Sequence, residues 1–197
     1  ALPIERLHRP GSADMAADVR ASLGEMGWFS LAVPEDQGGS GLSAIEHALF
    51  FREIGRQCGP IDVLAQALAV NLVQHKARET LASGTQGIAL LIADGTRHRV
   101  IGAADAAYGL LVTPEGTSLH DLGAAQVERR PALDPANSLG LLANLPSPVA
   151  SSDGAHLWRL GQVGTSAMLV GLAEAALALI VDYAKVRETF GRAIGSW

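Results

Sequence analysis

The residues best suited to chemistry lie near the C-terminal end of the chain, where Arg187, Thr189 and Phe190 follow a long run of apolar, helix-forming residues. An Arg-x-Thr-Phe-Gly turn at the end of a helix sets a planar guanidinium fork, a hydroxyl and an aromatic face side by side. A pyrophosphate and a flat ring suit that set, because the fork grips anionic oxygens in pairs. A structural reading competes: an arginine at a helix C-terminus favours the dipole, and a phenylalanine there can fill the core.

Other candidates are weaker. Glu174 is the one acid within the apolar stretch 163–181, and a single carboxylate on a long helix reads as a solvent-facing or bundle-pairing group. Asp182 and Glu188 read as solvated charges or as partners for Lys185 and Arg192. The histidines at 8, 47, 75, 98, 120 and 156 fall at no spacing that builds a metal site with the lone Cys58. Gly38-Gly39-Ser40-Gly41 lacks the Lys-Ser/Thr pair of a phosphate loop, so its glycines are expected to permit a tight loop. Arg97, Arg99, Arg129 and Arg130 read as solvated surface.

The elements that must position these residues follow from periodicity. Met15, Val19, Leu23 and Met26 recur at three to four and predict a helix from about Ser12, capped by Ser12 or Asp14 and ended by Gly27. A second helix is expected from Ser43 to Gln57, with Ser43 and Glu46 at capping-box spacing and Gly55 and Gly59-Pro60 as stops. Leu64, Leu68, Leu72 and Val73 continue the helical pattern, and Ala77 to Leu81 adds a short helix. Beyond Ser83-Gly84 the pattern changes to short runs at 87–92, 99–101, 108–113, 118–122 and 126–129, punctuated by Gly, Pro and Asp, which predict a small β domain of five to seven strands. Pro146 and Pro148 are expected to close it, and Ser151-Ser152-Asp153-Gly154 to cap a long helix from Ala155 to Glu188. The predicted class is α+β, with a helical domain over 1–84, a β domain over 85–150 and a helix with its terminal turn over 151–197.

Bulk properties narrow the function. With 48% hydrophobic and 18% charged residues the chain reads as globular. Its net charge of −5, without long runs of one sign, offers no basic face to a nucleic acid. A single cysteine fits a reducing compartment, with the cytoplasm as the default expectation. The stretch 163–181 is about as long as a membrane span, but its Gly, Ser and Thr content and the flanking His156, Arg159, Asp182 and Lys185 favour a buried helix of a bundle, so no membrane partner is expected.

Taken together, Gly27-Trp28-Phe29-Ser30-Leu31-Ala32-Val33-Pro34-Glu35-Asp36-Gln37-Gly38-Gly39, the helix end Glu53-Ile54-Gly55-Arg56 and the terminal Arg187-x-Thr189-Phe190-Gly191 turn resemble the acyl-CoA dehydrogenase family. The resemblance implies an N-terminal helical domain, a middle β domain and the start of a C-terminal four-helix bundle, with only its first helix present. It further implies that Arg187, Thr189 and Phe190 reach a neighbouring subunit's FAD, with Ile194 lining the same surface, and that an acyl-CoA is oxidised to the 2,3-enoyl-CoA with electrons passed to an electron-transferring flavoprotein. The family's flavin-ring segments match Leu90 to Gly95 and Arg99 to Gly102 here, without their usual hydroxyls and tryptophan. Where a subgroup carries its catalytic glutamate on the first bundle helix, this chain has Gly161, followed by Gln162, so no catalytic residue is assigned. These departures point to a subunit sharing a site with an unlike partner, as in heterotetramers acting on bulky or steroid acyl-CoAs. A self-assembling dehydrogenase of longer chains and a flavin-free scaffold or regulatory subunit are the alternatives.

Overall fold

A computed structural model of the chain describes residues 16–102, 106–133 and 137–196. Four helices come first: α1 (Ala17–Glu25), α2 (Ala44–Arg56), α3 (Asp62–Leu72) and α4 (His75–Ala82). Seven strands follow, β1 (Ile88–Asp94), β2 (Arg97–Ile101), β3 (Tyr108–Val112), β4 (Gly116–Asp121), β5 (Val127–Arg130), β6 (Leu139–Leu142) and β7 (Pro148–Asp153). The long helix α5 (His156–Val186) leads into a small hairpin of β8 (Glu188–Thr189) and β9 (Arg192–Ala193). The sheet order is β5-β6-β2-β1-β3-β4-β7, and every pairing is antiparallel except β1 with β3. The expected order of helices, strands and a final long helix is therefore the observed one.

Local signals place α2 well. The Ser43 hydroxyl accepts from Ile45 N at 3.1 Å, and Glu46 Oε2 accepts from Ser43 N at 2.9 Å, closing the capping box. The glycine loop before it is as tight as expected: Ser40 N, Gly41 N and Leu42 N donate to the carbonyls of Ser30, Val33 and Leu31, and a Cβ at Gly39 would lie 2.1 Å from Val33 O. The α3 helix is buried almost all round and forms the centre of the main core with Phe29, Val33, Phe51, Leu110 and Leu160. A separate small cluster of Ala89, Leu91, Val100, Leu122 and Leu142 packs the other face of the sheet.

Several expectations need correction. The first helix begins at Ala17 with no side-chain cap; Ser12 and Asp14 lie outside the described residues. Gly55 does not stop α2 but sits inside it, buried, where a Cβ would lie 2.0 Å from Met168 O. Pro148 opens β7 rather than closing the sheet, which an edge strand tolerates because it needs no ladder donor on its outer side. Ser151, Ser152 and Asp153 pair with Ser118, Thr117 and Gly116 in that strand. They are thus unavailable as caps, and α5 starts after Ala155 with no side-chain cap bond. The helix ends at Val186, before the expected Glu188.

The crossing of α2 and α5 sets the helical geometry. Gly55 and Gly171 bring the two backbones together, since a Cβ at Gly171 would lie 1.9 Å from Arg52 O. At the same crossing Glu174 takes a two-pronged pair from Arg52, at 2.6 and 2.9 Å, and a third contact from Arg56 at 3.3 Å. His47 is only 2% exposed and lies against Gly164, its Nε2 buried without a hydrogen-bond partner among the described residues.

Two stability predictions follow from this crossing. Gly171→Ala must push α5 off α2, so its urea midpoint should fall by an amount equivalent to about 3 kcal/mol; Gly161→Ala, which meets only the flexible Leu68 Cδ1 at 3.2 Å, should be close to neutral. Equal effects at the two positions would contradict the backbone contact. Burial pushes His47 down to about 4, outweighing the opposing contact with the Leu160 backbone. The unfolded state therefore binds the extra proton, so this contribution is full above about pH 6.5 and is lost as the pH falls towards 4, by about 3 kcal/mol in all. Urea unfolding of wild type and His47→Leu at pH 7.5 and 5 checks this: the wild type should lose more stability on acidification than the variant.

Candidate functional site

An apolar cleft of about 620 Å³ opens where α3, α5 and the ends of β1 and β3 meet. Parallel pairing of β1 with β3 brings the C-terminal ends of both strands to one edge. There Leu90 to Ala93 and Leu111 to Pro114 form a wall. The α3 helix supplies a second wall through Ile61, Leu64, Ala65 and Leu68, one helical stripe at i, i+3, i+4 and i+7. Along α5 the rim carries Trp158, Gly161, Gln162, Thr165 and Ser166. Among the described residues, no Asp, Glu, Lys, Arg or His lines the cleft. Thr113, which among the described residues is the one hydroxyl on the strand wall, donates to Gly116 O at 3.1 Å and accepts from Gly116 N at 3.2 Å, so its own turn already holds it.

A larger cavity, about 1030 Å³, lies between α1, the glycine loop and α4 and is lined by polar groups including Glu25, Asp36 and His75. Its buried Arg78 is already engaged, donating to Val70 O and Gln37 O, both at 3.1 Å. That arginine ties the last turn of α3 to the glycine loop, a structural task.

The terminal residues form the second region. Arg187 leaves α5 in an extended conformation while its N–H still donates to Tyr183 O at 2.8 Å, and Ile194 N donates back to Arg187 O at 2.8 Å. Glu188 faces Ala193, and Thr189 faces Arg192. Phe190 and Gly191 occupy the tip with φ of 54° and 79°, the pairing a two-residue hairpin of this hand requires and one disfavoured for phenylalanine. Phe190 is 89% exposed, so it does not fill the core formed by the described residues. Arg187 and Thr189 are exposed and Ile194 is half-buried.

The hairpin thus brings Arg187, Thr189, Phe190 and Ile194 together, as the sequence reading grouped them, but far from the cleft. At 1.5 Å rise per residue, Gly161 and Arg187 stand about 39 Å apart along α5. Glu174 lies between them and is held by Arg52 and Arg56. Hydrogen bonding from Arg52, with the charges of both arginines, keeps its carboxyl below the usual range. It matches neither reading offered for it in full, since it pairs across to α2 of the N-terminal helical region. Lys185 pairs with Asp182 at 3.0 Å. Gly161 and Gln162 do line the cleft. The cleft itself escaped sequence reading; only the α3 stripe hinted at it.

The family model for the acyl-CoA dehydrogenase N-terminal domain matches residues 3–83. Acyl-CoA dehydrogenase FadE34 of Mycobacterium tuberculosis is 34% identical over 204 aligned positions, covering 95% of this chain and 29% of that protein. The chain therefore spans under a third of that relative's length. Among solved structures, a variant of the Tcur3481-Tcur3483 steroid ACAD superposes with a TM-score of 0.72 at 19% identity, covering 98% of this chain and 63% of that one. PigA with FAD and proline superposes with a TM-score of 0.71 at 18% identity, covering 100% and 67%.

Because Phe190 is exposed and left-handed, Phe190→Gly should leave the thermal midpoint unchanged or slightly raised. Phe51→Ala, in the core, should cost about 3–5 kcal/mol. A comparable loss at both positions would mean that Phe190 is packed.

Proposed function

Since residues 3–83 are an acyl-CoA dehydrogenase N-terminal domain and the whole chain has the acyl-CoA dehydrogenase-like fold, we propose that it is a subunit of a flavin-dependent acyl-CoA dehydrogenase that lends its terminal hairpin to an FAD site shared with another subunit. The observation that carries this reading is the exposure of Arg187, Thr189 and Phe190 about 39 Å from the chain's own cleft. Groups so placed serve a neighbour. Arg187 would pair with the pyrophosphate, Thr189 would hydrogen-bond to it, and Phe190 and Ile194 would pack against the cofactor. The donor set fits the phosphate portion of a dinucleotide.

The cleft fits the flavin ring poorly. Its strand wall is aliphatic apart from Thr113, which its own turn engages, and each ring heteroatom buried without a partner would cost about 1–3 kcal/mol. Bound FAD supplies the two-electron acceptor for desaturating an acyl-CoA to the 2,3-enoyl-CoA. This chain's residues hold and orient; the carboxylate that takes the α-proton comes from outside the described residues, since neither Gly161 nor the paired Glu174 can serve. The working assembly is a heterotetramer of unlike subunits in the cytoplasm, passing electrons to an electron-transferring flavoprotein, and this chain alone is inactive.

Arg187→Ala in the co-expressed assembly should lose most of its bound FAD on gel filtration, read by absorbance, without unfolding the subunit or changing the subunit composition. Arg187→Lys, which keeps the charge but not the fork, should fall between. Unchanged flavin content in Arg187→Ala would remove the reading and leave a subunit that contributes its fold to the assembly without holding the flavin.

A further inference from the structure

We infer that Ser118 and His120 form an acyl-accepting pair on the face of the sheet turned away from α3, and that Ser118 takes up the acyl group of a thioester. The two residues stand two apart on β4, so their side chains share a face. It is the face opposite Leu119, which joins the main core. His120 is buried, with Nδ1 2.7 Å from Pro146 O and Nε2 2.8 Å from Ser118 Oγ. A carbonyl can only accept, so in the neutral ring Nδ1 carries the proton and donates it. Nε2 is then the acceptor, and the Ser118 hydroxyl donates to it. This is the arrangement of an activated serine: a nucleophile, a base, and a third group that orients the base, here a backbone carbonyl. The ladder accommodates it. Leu119 faces Ala150 and His120 faces Pro148, so β7 bulges by one residue, Val149, and the chain just before the bulge lays Pro146 against the imidazole.

The reaction this set supports is a single acylation. Ser118 Oγ attacks the carbonyl carbon of the thioester while His120 Nε2 takes the hydroxyl proton; the C–S bond breaks, and the sulfur leaves with that proton as the free thiol. An oxygen ester forms on Ser118, and nothing is oxidised or reduced. Ser118 is half-buried and its cross-strand neighbour Ser151 is exposed, so an acyl group reaches the hydroxyl past Ser151 without entering the core. A positioned base contributes about 10²–10⁴ in rate. An oxyanion hole, which contributes about 10²–10³, is not supplied by β4, because that strand is paired along both edges and its amides are engaged in the ladders. A thioester is reactive enough to acylate the serine without one. The resulting oxygen ester is less reactive, so the serine stays modified. The inference is independent of the flavin reading.

The test uses the purified assembly and S-phenyl thioacetate, with acetyl adducts located by peptide mass mapping. In wild type, Ser118 should be labelled at least about tenfold faster than the exposed Lys76 and Lys185. His120→Gln can keep both hydrogen bonds but cannot take up a proton, so it should slow that labelling about a hundredfold with an unchanged circular dichroism spectrum. Ser118→Cys should be labelled at the same position, its adduct now removable by neutral hydroxylamine. Labelling confined to the lysines, or labelling of Ser118 at one rate in wild type and His120→Gln, would overturn the inference and leave the pair as a tie between β4 and the chain before β7. Should His120→Gln fail to fold, the ratio of Ser118 to lysine labelling in wild type decides alone.

Discussion

Backbone contact between α2 and α5 at Gly55 and Gly171 is the constraint on which the rest of the structure depends. Gly55 lets the Met168 backbone, and Gly171 the Arg52 backbone, come where a Cβ would otherwise sit, and once they do, their neighbours are fixed. Arg52 and Arg56 meet Glu174, and His47 is pressed against Gly164. Leu157 and Leu160 reach the core one turn earlier on α5. The N-terminal half of α5 is thereby clamped to the body, whereas beyond Glu174 it leaves it: Leu177, Leu179, Ile180 and Val186 are all more than half exposed.

A helix held at one end and free at the other divides the molecule's chemistry. Near the clamp it closes an apolar cleft against the strand ends; at the far end it carries a hairpin that displays a guanidinium, a hydroxyl and a ring to solvent. The left-handed Phe190 at that tip is a conformation that packing within the chain does not require, since the side chain touches little of it. Unfavourable backbone at an exposed aromatic fits a residue shaped for contact with another molecule. The ion pair of Glu174 shows the opposite economy of design: a carboxylate in an apolar stretch that looks reactive in sequence is neutralised by two arginines from another helix.

What the sequence disclosed was what depends on near neighbours. Ser43 and Glu46 announce their helix because both partners of the capping box lie within one turn, and the spacing of Leu64, Leu68 and Leu72 marks α3 because the helix itself makes the stripe. The terminal Arg-x-Thr-Phe-Gly group was legible as a set of functional types. What stayed hidden depends on distant partners. Gly55 looks like a helix stop until the Met168 backbone of α5 is laid across it. Ser151 to Asp153 look like caps until β4 claims them, and Pro148 looks like a terminator until it is seen at a sheet edge. The cleft draws its walls from three separated segments, and no local pattern encodes such a meeting. Phenylalanine at a positive φ likewise carries no sequence signal, since glycine and asparagine are the residues that usually announce it.

The free half of α5 also bears on the life of the molecule in the cell. By length and composition this helix could cross a bilayer, and in water its exposed leucines and isoleucine form the kind of surface that chaperones and proteases read as unfinished folding. Burying that face, whether against further chain or against another molecule, would take it out of that traffic.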